Sequence, residues 1–395
     1  MRVGVVSRVL IPGGHVEWAT GLGRGLQQLG HEVTLIYVRD SGFFPMFDRE
    51  LKGLAFERTF RGTRAAISEA LGWAVSMAAL GGGYGKQGGP DPISWILAPF
   101  TGNWKERFDL LVFAEDFTGL AGLAASRICE SPYVVFVHEA PGGTPQSLTY
   151  RFVEAVRRTV RRTASLTCAI DDAIAARMQM EGEQGVLTVP SGCEPVEPPS
   201  ATRSDFVLAD TRWTPARDPG FILEVAKLTP GVQYVMLGSF WTPQSERDFL
   251  EQRSRDRLEE RVRMIPNHSS LEGLDLYRRA MVYIRWAAFG TGGWELGFPT
   301  GLRTAMSNSC PVLYDSRLGC ASLMRSEIPE GAVEHNSRAY ASKIMDLLSD
   351  PELVRTRSRQ SLSYAQKFQW THSAALLMGE VDNRLNRQRD GVPSA

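Results

Sequence analysis

The opening stretch of the chain changes its apolar period twice. Residues 2–7 (RVGVVS) are rich in β-branched valine and predict a buried parallel strand. Residues 11–14 (IPGG) read as a tight loop. Residues 15–29 predict a helix, because Leu22, Leu26 and Leu29 recur at i, i+4 and i+7 and Gly30 supplies a stop. Residues 32–38 (EVTLIYV) return to an apolar run and predict the next strand. Strand, glycine loop, helix and strand within about 40 residues make a βαβ unit, which implies a parallel sheet covered on both faces.

The pattern recurs along the chain. Short apolar runs at 110–113 (LLVF), 133–137 (YVVFV) and 165–170 (SLTCAI) each lead into a turn and a helical segment. A Pro-rich stretch at 190–199 (PSGCEPVEPP) reads as a linker. A second series of runs follows at 206–209, 233–237, 262–265, 281–284 and 311–314. The expected organisation is α/β, with one βα domain over residues 1–195 and another over 196–370. Residues 41–104 do not follow the pattern; they hold several aromatic side chains and a glycine tract at 81–89 (GGGYGKQGG). A phosphate-binding P-loop requires G-x-x-x-x-G-K-[ST]. With Gly85 and Lys86 in place, the ends of that pattern fall on Leu80 and Gln87, so the tract reads as a loop.

Composition narrows the classes. The 395 residues carry 44 Lys+Arg against 44 Asp+Glu, and each half of the chain is within a single charge of neutral. Bulk charge therefore does not suggest a nucleic-acid binder, although a local basic patch stays open. An apolar share of 43% against 22% charged excludes disorder on the scale of the whole chain. Cys129, Cys168, Cys193, Cys310 and Cys320 are odd in number and widely spaced, with no C-x-x-C pair. That excludes a disulfide framework or zinc ribbon as the organising feature and suggests a reducing compartment. The apolar start is too short for a membrane span or a signal peptide, so a soluble cytoplasmic protein is expected.

Three segments carry candidate chemistry. Gly13 and Gly14, between the first strand and helix, let the backbone approach a ligand beside free helix-start amides. Arg212 and Arg217 bracket a proline turn after the first strand of the second series, and two guanidiniums so placed can converge on one anion. Residues 289–306 (FGTGGWELGFPTGLRTAM) form a glycine-rich loop leading into a helix near Pro299 or Thr300. There the amides of Thr300, Gly301 and Leu302 are expected as unsatisfied donors aimed at an anion. Arg157, Arg158, Arg161 and Arg162 read as a solvated basic helix face, and Trp286 and Trp294 as packing residues. Glu115 and Asp116 do not form a D-x-D metal motif.

In order and spacing these pieces resemble a retaining glycosyltransferase of the GT-B fold, similar to glycosyltransferase family 4. The resemblance runs nearly end to end. It rests on the P-G-G loop, on 25–35 (GLQQLGHEVTL), on 134–138 (VVFVH), on 189–194 (VPSGCE), on 212–217 (RWTPAR) against R-x-x-P-x-K, on 276–284 (LYRRAMVYI) and on 368–370 (FQW). It covers residues 41–104 poorly. It implies two Rossmann-like βα domains facing a central cleft, with a C-terminal helix over about 371–395 crossing back onto the N-terminal domain. The N-terminal domain would take the acceptor and the second would bind the donor.

The resemblance also assigns roles. Arg212 and Arg217 would hold a donor diphosphate, with Arg217 in place of the usual lysine. Gly13 and Gly14 would face the donor phosphates and the transferred sugar, and His138 would sit beside that sugar. Phe298, Thr300, Gly301 and Leu302 would belong to the donor loop and helix start. The family's E-x7-E signature departs here: Leu296 and Thr304 stand where the two glutamates would be. Glu295 is one residue early and would reach the donor sugar by a shift of the lengthened loop; Thr304 keeps a place in the donor site, but its shorter, neutral side chain cannot stand in for a ribose-gripping carboxylate. The implied activity is metal-independent transfer of a glycosyl unit from a nucleotide-diphosphate sugar, with no further cofactor. A lipid, a sugar, a natural product or a modified base in DNA would all fit as the acceptor. The missing glutamates keep two other readings open: a non-catalytic nucleotide-sugar-binding module or partner subunit, and a nucleotide-sugar epimerase.

Overall fold

Apolar runs buried on both faces become the central strands of two parallel sheets. The computed structural model describes residues 1–10, 14–40, 53–58, 104–116, 119–129, 132–138, 148–194, 203–266, 270–287 and 298–389. The chain divides into one unit of Met1–Gly192 with Trp370–Ala395 and a second of Cys193–Gln369.

The first unit runs β1 (Arg2–Leu10), α1 (Gly14–Gln28), β2 (Glu32–Asp40), β3 (Ala55–Arg58), α2 (Trp104–Arg107), β4 (Leu110–Phe113), α3 (Leu120–Cys129), β5 (Tyr133–Val137), α4 (Leu148–Thr163), β6 (Leu166–Ala169), α5 (Asp172–Met180) and β7 (Leu187–Thr188). Its strand order is β3-β2-β1-β4-β5-β6-β7, all parallel. The order reverses between β1 and β4, and such a switch leaves a crevice at the carboxyl ends of those strands.

The second unit runs β8 (Ser204–Asp210), α6 (Gly220–Leu228), β9 (Gln233–Leu237), α7 (Pro243–Arg255), β10 (Val262–Ile265), α8 (Ser270–Arg279), β11 (Ala280–Arg285), α9 (Thr300–Ser307), β12 (Val312–Asp315), α10 (Ala321–Glu327), β13 (Ala332–Val333), α11 (Ser337–Ser349) and α12 (Pro351–Lys367). Its parallel sheet has the order β10-β9-β8-β11-β12-β13, so the switch point lies between β8 and β11. One face packs Leu208, Tyr283, Met306 and Tyr364 into a core, and the other packs Val207, Trp213, Phe221 and Ile344. Arg203 ties two helix ends together: its guanidinium donates to the carbonyls of Tyr277, Arg278, Ala280, Asn308 and Ser309. The carbonyls of Tyr277, Arg278 and Asn308 belong to the helix ends, where α8 and α9 leave acceptors without an intrahelical partner, whereas Ala280 opens β11 and Ser309 follows the cap of α9.

The last helix, α13 (Trp370–Arg389), returns to the first unit and lies against α1. Two glycines of α1 admit it. A Cβ at Gly21 would stand 2.0 Å from Trp370 Cε2, and one at Gly25 would stand 2.3 Å from the Trp370 carbonyl oxygen. Gly21 and Gly25 therefore serve helix packing by removing the side chains that would hold two backbones apart, whereas Gly30 of the same motif ends α1 in the left-handed region (φ 86°). Ser373 Oγ donates to the Pro190 carbonyl at 2.6 Å, and Arg384 donates to the carbonyls of Ser165 and Gly185.

One expectation is corrected on α4. The basic stripe at 157–162 is solvated only in part: Arg162 is exposed, but Arg157 and Arg161 are taken up by carboxylates. Arg161 is buried, with Nη1 donating to Asp116 at 2.7 Å, Nη2 to Glu154 at 2.9 Å and Nε to Glu183 at 2.7 Å. Arg157 Nε reaches both oxygens of Asp116, at 3.0 and 2.9 Å. An arginine removed from water needs such partners, and Asp116 comes from beyond β4, far away in sequence.

Candidate functional site

β8 ends on a polar residue, Asp210, and the loop behind it carries the two arginines. That loop is held firmly. The indole of Trp213 is buried and donates Nε1–H to the Leu237 carbonyl at 3.0 Å. Trp213 pairs with Phe240 in a parallel bridge, its N–H donating to Ser239 at 3.0 Å while Trp241 N–H returns to the Trp213 carbonyl at 2.8 Å. Pro215–Arg217 forms a single 3-10 turn closed by Asp218 in the left-handed region (φ 42°). Trp286 at the end of β11 donates to the Arg217 carbonyl at 2.9 Å and stacks on Trp213 with centroids 5.8 Å apart. Trp286 is thus a packing residue, as expected.

The two guanidiniums take different rests. Arg217 Nη1 donates to the Thr211 hydroxyl. Arg212 is exposed, and its guanidinium carbon lies 4.9 Å from the centre of the Trp241 ring. Both sit at the carboxyl end of β8, beside the switch point.

α9 begins against Asp210, the last residue of β8. Its cap is Pro299 and its first residue is Thr300. The amides of Leu302 and Arg303 already donate to the Pro299 carbonyl, at 3.1 and 3.3 Å. Among the described residues, this leaves the amides of Thr300 and Gly301 as the open donors of this helix start. Gly301 is required by a close approach: a Cβ there would stand 2.2 Å from the Tyr283 hydroxyl and 2.5 Å from Asp210 Oδ1. Asp210 is the hub of this corner. Its carboxylate accepts from the Tyr277 hydroxyl, and its carbonyl accepts from Arg285 Nη1 at 3.1 Å and Tyr283 at 3.4 Å. A carboxylate at a helix N-terminus is stabilised by the helix dipole, so Asp210 and any anion arriving there share one positive field.

The remaining candidates separate. Leu302 and Phe298 turn their side chains into the core, Phe298 meeting Tyr364 edge-on at 6.0 Å. Thr304 lies one turn into α9, half-buried. Glu295 and Gly13 fall outside the described residues, and Gly14 opens α1. His138 belongs to the first unit, directly after β5, where its ring meets the buried Trp18 edge-on at 5.1 Å. Reading the residues in order singled out Arg212 and Arg217 but passed over Asp210, Trp241, Tyr277 and Arg285. An acidic residue closing the apolar run 204–210 (SDFVLAD) is the signal that was there for Asp210.

Charge at the carboxyl edge of the first sheet is also shaped by burial. Asp171 caps α5, with Oδ1 accepting from Ile174 N–H at 2.7 Å and Oδ2 buried with no partner among the described residues. Burial pushes its carboxyl up to about 7. Burial acts upward on Asp116 too, but the guanidiniums of Arg157 and Arg161 reverse it and hold that carboxyl below the usual range. Among the described residues, no cluster of three or more His, Cys, Asp or Glu could hold a metal ion, and no helix is long and apolar enough to cross a membrane.

Comparison with known proteins agrees with this architecture. Residues 13–192 match the family described as glycosyl transferase 4-like domain. HepE of Anabaena, solved in complex with UDP-glucose, superposes with a TM-score of 0.71 at 14% identity, over 97% of this chain and 100% of that one. The chain has the GT-B fold and resembles glycosyltransferase family 4. Sucrose-phosphate synthase from Thermosynechococcus elongatus has the same GT-B arrangement at a TM-score of 0.70 and 18% identity, covering 98% of this chain and 99% of that one. TarM of S. aureus, with alpha-GlcNAc-glycerol and UDP, gives 0.71 at 8% identity, covering 96% and 99%. No curated protein matches the sequence.

Proposed function

We propose that this GT-B chain is a glycosyltransferase that moves a glycosyl unit from a nucleotide-diphosphate sugar to an acceptor hydroxyl, with retention of configuration. The observation that carries the reading is the crest of the second sheet. There Arg212 and Arg217 follow the end of β8, whose last residue, Asp210, lies against Gly301 at the start of α9. The family match over the first unit and the GT-B neighbours, HepE with UDP-glucose among them, support it.

The chemistry follows from charge. As the glycosidic bond breaks, negative charge grows on the leaving diphosphate. Guanidiniums fixed at its position, together with helix-start N–H groups, stabilise that charge more than they stabilise the bound donor. In this reading the chain's own side chains and amides neutralise the diphosphate without a metal ion. The acceptor oxygen bonds to the anomeric carbon on the face the diphosphate leaves and passes its proton to the departing phosphate oxygen, so no protein nucleophile is involved. Asp210 accepts hydroxyl hydrogens: a carboxylate beside a phosphate-binding helix start is a fitting partner for a ribose hydroxyl. It supplies from β8 what Thr304 cannot supply from α9. In the first unit, Gly13 and Gly14 are assigned to the donor phosphates and the transferred sugar, and His138 to that sugar. Cys168, Cys193, Cys310 and Cys320 are free, buried thiols, in keeping with a cytoplasmic setting.

The test is turnover of a panel of nucleotide sugars, UDP-glucose included, by the wild type and by R212A/R217A. Loss of the two cations is expected to lower donor turnover by about 10²–10³-fold, the scale of removing charge-stabilising donors from a transition state. Near-normal turnover in the double variant would falsify the reading.

A further inference from the structure

We infer that Trp241 is a positioning residue for Arg212: its indole holds the guanidinium above the crest of the second sheet, ready for the diphosphate of a nucleotide donor. The inference rests on the functional reading above and extends it to a residue outside the motif 212–217.

Trp241 keeps 48% of its surface exposed, an unusual position for the largest apolar side chain. What covers part of it is a cation, with the Arg212 guanidinium carbon 4.9 Å from the ring centre. Among the described residues, Arg212 forms no ion pair, so the indole is its partner there. The indole is anchored at its backbone. Trp241 N–H donates to Trp213 at 2.8 Å, and the next residue, Thr242, caps α7 by accepting from Ser245 N–H at 3.1 Å. The loops behind β8 and β9 are thereby one assembly, and the ring stays at a set height beside Arg212. An exposed arginine otherwise samples many rotamers, all but a few of which a bound anion must exclude. An aromatic face removes that freedom beforehand while leaving the fork of N–H groups pointing outward.

A pairwise cycle reads this directly. Dissociation constants are measured for UDP, GDP, ADP, CDP and inorganic pyrophosphate with the wild type, W241A, W241F, R212A and R212A/W241A. W241A is expected to weaken the tightest of these ligands about three- to fivefold, the scale of an exposed cation–π pair. W241F should restore most of the loss, and R212A/W241A should bind as R212A does, because Trp241 acts through Arg212. Wild-type binding by W241A would overturn the inference. So would an equal loss when tryptophan is removed from the R212A background, which would mean that the ring touches the ligand itself. If R212A binds as the wild type, or if no ligand binds, the functional reading fails and takes the inference with it. If R212A weakens binding while W241A does not, the inference alone falls.

Discussion

Arg161 and Arg212 carry the same charge in the two units of the chain and have opposite surroundings. Arg161 is sealed in the first unit and meets Asp116, Glu154 and Glu183. Arg212 lies exposed in the second unit against an indole. The difference teaches what makes an arginine structural. A guanidinium taken out of water loses several kcal/mol of hydration and is stable only among carboxylates that also use its hydrogens. A guanidinium left in water keeps its hydration, and an arriving anion can use its charge. Asp116 and Asp171 repeat the contrast with the sign reversed. Both are buried acids at one sheet edge, but Asp116 is held down by two guanidiniums whereas Asp171, capped only by helix-start amides, is pushed up to about 7.

The strongest way to break the comparison is R161M. It leaves three carboxylates short of their partner, and is expected to cost the first unit about 3–5 kcal/mol. Urea unfolding would show this as an early transition, and an unchanged midpoint would mean that the network is not structural. R212A/R217A should do the reverse, lowering donor turnover on the scale given above at a nearly unchanged urea midpoint. D210N comes next. A hydrogen bond to a charged group contributes about 1.5–3 kcal/mol, so the wild type should prefer UDP over 2′-deoxy-UDP by at least about tenfold. D210N should bind the two alike while still accepting from Tyr277. A preference that survives in D210N would remove Asp210 from the hydroxyl site.

A pH series on the aspartate pair completes the set. The folded-state pKa of Asp171 is raised, so the folded protein holds a proton that the unfolded chain has released between about pH 4 and pH 7. Its contribution to stability is therefore full below pH 4 and declines as pH rises to 7. Asparagine caps a helix equally well and does not titrate. D171N should gain stability over the wild type at pH 8, and the gain should shrink toward pH 4. Asp116 runs the other way: its contribution is present at neutral pH and is lost on acidification through its lowered pKa. Urea midpoints of D171N and wild type at pH 5 and pH 8 check the sign.

Much of the frame was legible in order. Leu110–Phe113, Tyr133–Val137 and Gln233–Leu237 are strands with the bounds their apolar runs imply. Central parallel strands are buried on both faces, so their sequence must be apolar throughout. Of the sheet edges, β10 (Val262–Ile265) was legible and the other three were not. β3 (Ala55–Arg58) carries Glu57 and Arg58, and β7 and β13 are two residues long. Pairing with one neighbour defines such strands, and pairing leaves no apolar pattern.

The site divides the same way. Residue order was enough to mark Arg212 and Arg217, because a short proline turn keeps both near the end of one strand. Asp210 and Trp241 gained meaning only when α9 and the loop behind β9 arrived beside them, the first through Gly301 and the second through the Trp213–Phe240 bridge. The stripe on α4 shows the limit most clearly. Its i, i+4 arginines were visible in sequence, but Asp116 lies 45 positions from Arg161, and only folding brings them together. Two parallel βα sheets and the chemical types at their crests follow from residue order alone, because local burial periods and turn residues encode both. Tertiary structure decided which charges were neutralised and which stayed open, because electrostatic partnership depends on distance and hydration, and neither is local in the chain.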